Sequence, residues 1–157
     1  MTEIFTDQLI KKNLIKINQH YESQEEFFKQ ISSWLQENNY VTDTFLGAIT
    51  ERERQFPTGL HTPYFDVAIP HTDPKHIEKP FIAVVRPDSS IDFKEMGNLE
   101  GNTSVRLIFV IGFKHSENQL IILQKLMSMF SDQNMMNICL NSNEELVIYN
   151  ALMEYFD

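Results

Sequence analysis

Chemistry in this 157-residue chain has few places to sit: five histidines, one cysteine, and no glycine-rich phosphate loop or G-x-S-x-G serine motif. Of His20, His61, His71, His76 and His115, His71 stands apart by position. It follows the apolar run Val67-Ala68-Ile69 and Pro70, and a Thr72-Asp73-Pro74 turn comes after it. This order puts an imidazole at the mouth of a strand, behind a residue whose backbone is fixed, and strand ends are where α/β sheets build their sites. The plain alternative is a histidine in a surface turn.

Arg52 is the natural partner. In the run Glu51-Arg52-Glu53-Arg54 it ends a predicted helix, where a cation is favoured by the helix dipole and the whole run could be a solvated face. A functional role requires the Pro57-Thr58-Gly59 turn to fold that helix end back beside His71. Arg52 would then offer a planar fork of donors suited to a phosphoryl group. A metal set of His71, Asp73 and His76, with His61 as a further donor, is the lesser reading, because H-x-D-x-x-H matches no closed ligand pattern. It would make the chain a metal-dependent hydrolase; the preferred reading needs neither metal nor other cofactor. Cys139, among Met135, Met136, Ile138 and Leu140, reads as a packed apolar residue, and Met127, Met129, Met135 and Met136 read as core.

These residues need elements to hold them. Residues 1–20, with Leu9, Ile10, Leu14, Ile15 and Ile17, form a short helix or strand. Ser23-Gln24-Glu25-Glu26 is a capping box opening a helix to about Glu37, with Phe27, Phe28, Ile31, Trp34 and Leu35 at helical spacing. A second helix is predicted from Asp43 to Arg54, capped by Thr42, burying Phe45, Leu46 and Ile49 and stopped by Pro57. Gln55 to Asp66 is a long irregular connection. Strands are predicted at 67–69, 81–85 and 105–111, the last central and covered on both faces, with a short edge strand at 91–93 and a polar turn region at 95–103. Capping boxes at Ser116 and Ser142 open two further helices, the second reaching Tyr155, with a shorter helix from Asp132 to Leu140 between them. Leu120, Leu123, Leu126, Met127 and Phe130 are expected on the inner face of the first. The interleaving predicts an α/β fold over 1–157: a single domain with a mixed β-sheet of about five strands, flanked by helices on both sides.

Composition bounds the rest. Apolar content of 42% and charged content of 22% are those of a globular protein. No run approaches the roughly 20 apolar residues of a membrane span, and the N-terminus lacks a signal-peptide layout. A single cysteine excludes an internal disulfide, so a cytoplasmic location and no direct membrane insertion are expected. The net charge of −9, without a lysine–arginine cluster, makes nucleic acid an unlikely partner and favours a basic protein.

With E-R-E at 51–53, P-T-G at 57–59 and A-I-P-H at 68–71 together, the chain resembles the IIA components of the bacterial phosphoenolpyruvate-dependent sugar phosphotransferase system, in their fructose–mannitol–nitrogen-regulatory superfamily. FPTGL followed by VAIPHTD looks most like the galactitol-type branch, and the resemblance spans essentially the whole chain. It implies that His71 takes a phosphoryl group from the carrier HPr and passes it to a cysteine of a IIB partner, with membrane IIC downstream. It also implies that Arg52 stabilises the moving group, and that Glu53, Thr58, Gly59 and Pro70 support the site. Mannitol and fructose relatives carry a second active-site histidine where this chain has Gln119; His115 lies four residues earlier. Gln119 could serve the phosphoryl group, the Ser116 capping box, or both. The resemblance leaves a second function open, a nitrogen-type regulatory protein whose partner binding is switched by phosphorylation. A IIB identity does not fit, since its nucleophilic cysteine follows an early strand in a phosphate-cradling loop and Cys139 does not.

Overall fold

The computed structural model describes residues 6–157; the part of the signal-peptide reading that rests on residues 1–5 lies outside them. A mixed six-stranded sheet forms the middle layer. Its strands are β1 (Ile15–Gln19), β2 (Gly59–Leu60), β3 (Asp66–Ala68), β4 (Phe81–Pro87), β5 (Ile91–Glu95) and β6 (Asn98–Gly112). They run in the order β1-β4-β6-β3-β2-β5, and β5 also pairs with β6. The helices are α1 (Thr6–Leu9), α2 (Gln24–Glu37), α3 (Phe45–Gln55), α4 (Ser116–Met129), α5 (Gln133–Asn141) and α6 (Glu145–Phe156).

Strand periodicity divides the core in two. Ile82 and Val84 of β4, with Leu107, Phe109 and Ile111 of β6, pack under α4, α5 and α6. Phe81, Ala83 and Val85, with Ile108 and Val110, pack under α2 and α3. The central strands are therefore apolar without interruption, as buried strands must be. The expected architecture holds, with one strand more: β2 is two residues long and too short to leave a pattern.

Several boundaries differ from expectation for physical reasons. The region 95–103 is not a polar turn but a β-hairpin: β5 and β6 pair from Ile91–Val105 to Glu95–Asn98 around a turn in which Gly97 takes φ +77°. Much of this ribbon is exposed, so only Thr103 and Val105 on its β6 arm are buried and no apolar run marks it. It also gives β5 a second neighbour, through the Gly59–Glu95 pair, so β5 is not a simple edge strand. Ser23 caps α2 as expected, accepting from the Glu26 amide at 3.1 Å. The boxes at Ser116 and Ser142 do not form: α4 is preceded by His115 with no side-chain cap, while Ser142 Oγ accepts from the Glu144 amide in a turn ahead of α6. Thr42 likewise accepts from the Thr44 amide and does not cap α3. In α4 the buried stripe is Ile122, Leu126 and Met129, leaving Leu120 and Met127 exposed. Its sequence, LIILQKLMSM, is apolar on every side and cannot fix the phase of burial.

Candidate functional site

The site is assembled where α3, β3 and β6 end near one another. Along α3 the buried positions are Phe45, Ile49 and Glu53, one every four residues, so the apolar stripe ends in a carboxylate. Glu53 is only 5% exposed, and burial pushes its carboxyl up to about 7 against two hydrogen bonds that oppose the rise. Those bonds come from Thr58: its amide donates to Oε2 at 2.6 Å and its hydroxyl to Oε1 at 2.8 Å. One carboxylate thus satisfies both donors of a buried threonine and folds the chain back on the helix end.

From that turn the chain enters β2, which pairs antiparallel with β3 through Gly59–Ala68 and Leu60–Val67. The Thr58 carbonyl accepts from the Ile69 amide at 3.4 Å. Only glycine fits at 59, because a Cβ there would meet the Thr103 hydroxyl and the Lys94 carbonyl. Helix α3, the Pro57–Gly59 turn and β3 form one continuous hydrogen-bonded path from Arg52 to His71.

At the end of β3, Pro70 offers its carbonyl to the Ile111 amide at 3.1 Å, and His71 bridges Ile111 in parallel fashion. The imidazole is partly buried, with the Phe113 ring edge-on at 6.0 Å between centroids. Its Nδ1 lies 2.8 Å from the Ile69 carbonyl. A carbonyl can only accept, so Nδ1 carries the proton and Nε2 holds the lone pair. Burial, and secondarily the charge of Arg52, lower the His71 pKa, against the Ile69 hydrogen bond and Asp73. The ring is neutral at neutral pH, with one nitrogen fixed and the other nucleophilic. Arg52 is near enough to act on the ring electrostatically, and its guanidinium carbon stacks 4.6 Å from the exposed Phe56 ring.

Comparison with known proteins identifies the family. Residues 8–155 match the model of the family "Phosphoenolpyruvate-dependent sugar phosphotransferase system, EIIA 2". The chain belongs to this family. As an EIIA component it is a phosphotransferase that carries its phosphoryl group on histidine. It is 26% identical over 116 residues to the galactitol-specific EIIA component of Escherichia coli K12, covering 74% of this chain and 73% of that one. It is 28% identical over 151 residues to the mannitol-specific enzyme IIA component of Bacillus subtilis, covering 92% and 99%. Among solved structures, the nitrogen regulatory protein IIA-Ntr of Neisseria meningitidis superimposes with a TM-score of 0.76 at 20% identity, covering 94% and 97%. Enzyme IIAMTL of E. coli, solved in complex with phosphorylated enzyme IIBMTL, gives 0.72 at 17% identity, covering 93% and 97%. At these identities the two structures speak to the fold.

In this EIIA three of the other histidines are engaged separately. His61 sits between Asp66 and Glu95, at 2.7 and 2.9 Å, which raises its pKa chiefly through Asp66. His76 Nδ1 lies 2.7 Å from the Thr44 hydroxyl, and His20 pairs with Glu22 and Asp88. Among the described residues no group of three or more histidine, cysteine, aspartate or glutamate side chains is arranged to hold a metal. Cys139 is fully buried, and burial pushes its thiol up to about 12, leaving it inert. Met129, Met135 and Met136 are core, but Met127 is 48% exposed and is not. No helix among the described residues is long and apolar enough to cross a membrane.

Gln119 lies in the first turn of α4, partly exposed, and its side chain makes no hydrogen bond among the described residues. Phe113, whose ring meets that of His71, is separated from α4 by two residues. Its neighbour Asn118 has a buried amide oxygen without a partner. The most consequential group that sequence reading misses is the Ile69 carbonyl, since a backbone acceptor leaves no residue signature. The structural weight of Glu53 was legible in principle, because it falls on the Phe45–Ile49 stripe.

Proposed function

We propose that this EIIA accepts a phosphoryl group on Nε2 of His71 from HPr and passes it to the cysteine of a IIB component, with membrane IIC downstream. The observation that carries the reading is the 2.8 Å contact between His71 Nδ1 and the Ile69 carbonyl. It selects the tautomer and leaves Nε2 as the nucleophile. As the new N–P bond forms and the donor's N–P bond breaks, the ring gains positive charge, which Nδ1–H shares with the carbonyl. The same contact serves the return step, since a ring still protonated at Nδ1 leaves as neutral imidazole.

Arg52 stabilises the phosphoryl oxygens in flight, with Phe56 holding its plane. Glu53, Thr58 and Gly59 fix the turn that sets Arg52 against His71, and Pro70 holds the strand exit against Ile111. Gln119 contributes an amide donor to a phosphoryl oxygen where relatives use a second histidine. Exposed Leu120, next to Gln119, gives a partner an apolar contact beside the site. The galactitol-type assignment is supported by FPTGL and VAIPHTD and by the galactitol-specific relative. The test is incubation with labelled phosphoenolpyruvate, enzyme I and HPr: label is expected on the wild type and absent from His71→Ala. Label persisting on the variant would sink the assignment.

A nitrogen-type regulatory role is the second reading, favoured by the fold match to IIA-Ntr. In it, phosphorylation of His71 switches an interface by adding charge. Transfer of label onward to a purified galactitol IIB separates the two: transfer supports the transport role, and phospho-His71 that no IIB discharges supports regulation.

A further inference from the structure

At the opposite end of β4 and β6 from His71 lies a small polar cavity of about 290 Å³, walled by Arg86, Arg106, Asn18, Ser89, Ser90 and Asn143 among others. His71 bridges Ile111, which pairs with Ile82, while Arg86 and Arg106 lie just past the Val85–Ile108 pair. Along β4 four positions separate Ile82 from Arg86, about 13 Å.

Arg86 is 7% exposed. Among the described residues its only hydrogen-bond partner is the Cys139 carbonyl, which accepts from Nη1 at 3.0 Å, and no carboxylate pairs with it. Burial lowers its pKa, the signature of a cation out of water without an anion. A buried guanidinium is costly unless paired, and four of its five N–H donors are unaccounted for. Arg106 is exposed and also has no side-chain partner among the described residues.

Two strand irregularities aim residues into this cavity. In the β3–β6 ladder Asp66 pairs with Val105 and Val67 with Leu107, so Arg106 is an extra residue. Val105 packs under α2 and α3 while Leu107 packs under α4 to α6, so the pleat changes phase at Arg106. The β1–β4 register also shifts between Lys16 and Gln19, and there Asn18 takes φ +58°. Asn18, Ser90 and Asn143 have side-chain polar groups with no partner among the described residues. The one acid on the wall, Asp88, already receives His20 on both oxygens, at 3.0 and 3.1 Å.

We propose that this cavity binds the phosphate group of a small anion, either inorganic phosphate or a phosphate monoester, through Arg86 and Arg106. A planar guanidinium with free paired donors matches phosphate geometry, and the neutral amides and hydroxyls supply the remaining contacts. The volume is at the low end for small-molecule sites. A larger groove of about 710 Å³, lined by Tyr64, Asn137 and others, shares Leu140 and Asn141 with the cavity and gives the organic part of a monoester room. The binding needs no phosphotransfer at His71.

The test is amide NMR of the full chain, titrated with potassium phosphate and separately with glycerol 3-phosphate, against potassium chloride at matched ionic strength. Saturable shifts are expected at Asn18, Ser89, Ser90 and Asn143, on a curve separate from any shifts around His71. Arg106→Gln, a change at an exposed residue, weakens this binding about tenfold or more. Arg86→Met abolishes it and removes the phosphate-dependent rise in Tm. Tighter binding of glycerol 3-phosphate identifies a monoester as the ligand, and equal binding identifies the phosphate group alone; both uphold the site. Absence of saturable shifts at these residues up to about 20 mM, or shifts that Arg106→Gln leaves unchanged, would overturn it.

Discussion

Glu53 couples the site to pH through stability. Its carboxyl lies near 7 in the folded chain against 4.5 ordinarily, and burial is the cause. A raised folded pKa in an acid means that the folded state binds the proton more tightly than the unfolded state. The contribution is therefore full below about 4.5 and lost as pH rises through 7. The gap corresponds to about 3 kcal/mol, most of it lost between pH 4.5 and 7. Glu53→Gln removes the ionisation but keeps the shape. Its oxygen can accept from the Thr58 amide while its NH2 donates to a rotated Thr58 hydroxyl. Urea denaturation of wild type and Glu53→Gln across pH 4.5 to 8 isolates the term, because every other titrating group is common to both. The wild type should lose about 3 kcal/mol relative to the variant over that range. Glu53→Ala leaves both Thr58 donors buried without a partner, at about 1–3 kcal/mol each, and should also lower the rate of phosphorylation of His71. A difference between wild type and Glu53→Gln that stays flat with pH would refute the raised carboxyl. Full phosphorylation by Glu53→Ala would refute the turn as what positions His71.

Other outcomes follow from the same geometry. Arg52→Ala should slow phosphorylation of His71 by HPr about ten- to a hundredfold at unchanged urea midpoint, the loss of one charge-assisted interaction; equal rates would remove Arg52 from the site. Because burial lowers the His71 pKa, phosphoryl acceptance should hold its neutral-pH rate below 6.5 and fall only as the pH drops through that lowered value. A rate already halved at 6.5 in a pH profile would contradict a desolvated ring. Leu120→Ser, at an exposed position, should leave phosphorylation by HPr and the fold intact or nearly so while weakening transfer to IIB, read as a raised KM for IIB. His20, bridged to Glu22 and Asp88, should titrate by NMR near 8, and Asp88→Asn should lower that midpoint.

The layer structure was legible because β4 and the C-terminal half of β6 are buried on both faces, and no helix phase turns FIAVV or LIFVI into an amphipathic stripe. The hairpin from Ile91 to Thr103 was not, since an exposed ribbon stabilised by backbone pairing and one turn glycine needs few apolar residues. The phase of α4 failed for the opposite reason: an excess of apolar residues leaves several faces equally fit for burial. At the site, His71 and Arg52 were visible as residue types at defined places. What would make a nucleophile of His71 was not, because tautomer, burial and the direction of the Ile69 carbonyl belong to the folded backbone.

That division explains why one carboxylate carries so much of the arrangement. The imidazole needs only a carbonyl at Nδ1 and a dry neighbour such as Phe113, both of which the ends of β3 and β6 provide. The cation has no such scaffold, since a helix end frays unless something ties it down. Glu53 supplies the tie from the residue next to Arg52, holding Thr58 and with it the strand pairing that leads to His71. A lysine or alanine at 53 could sit on the same helix face, but neither presents an acceptor to the Thr58 amide and hydroxyl. The E-R-E and P-T-G motifs are therefore one structural unit, an acceptor and its two donors, with Arg52 fixed because its neighbour is.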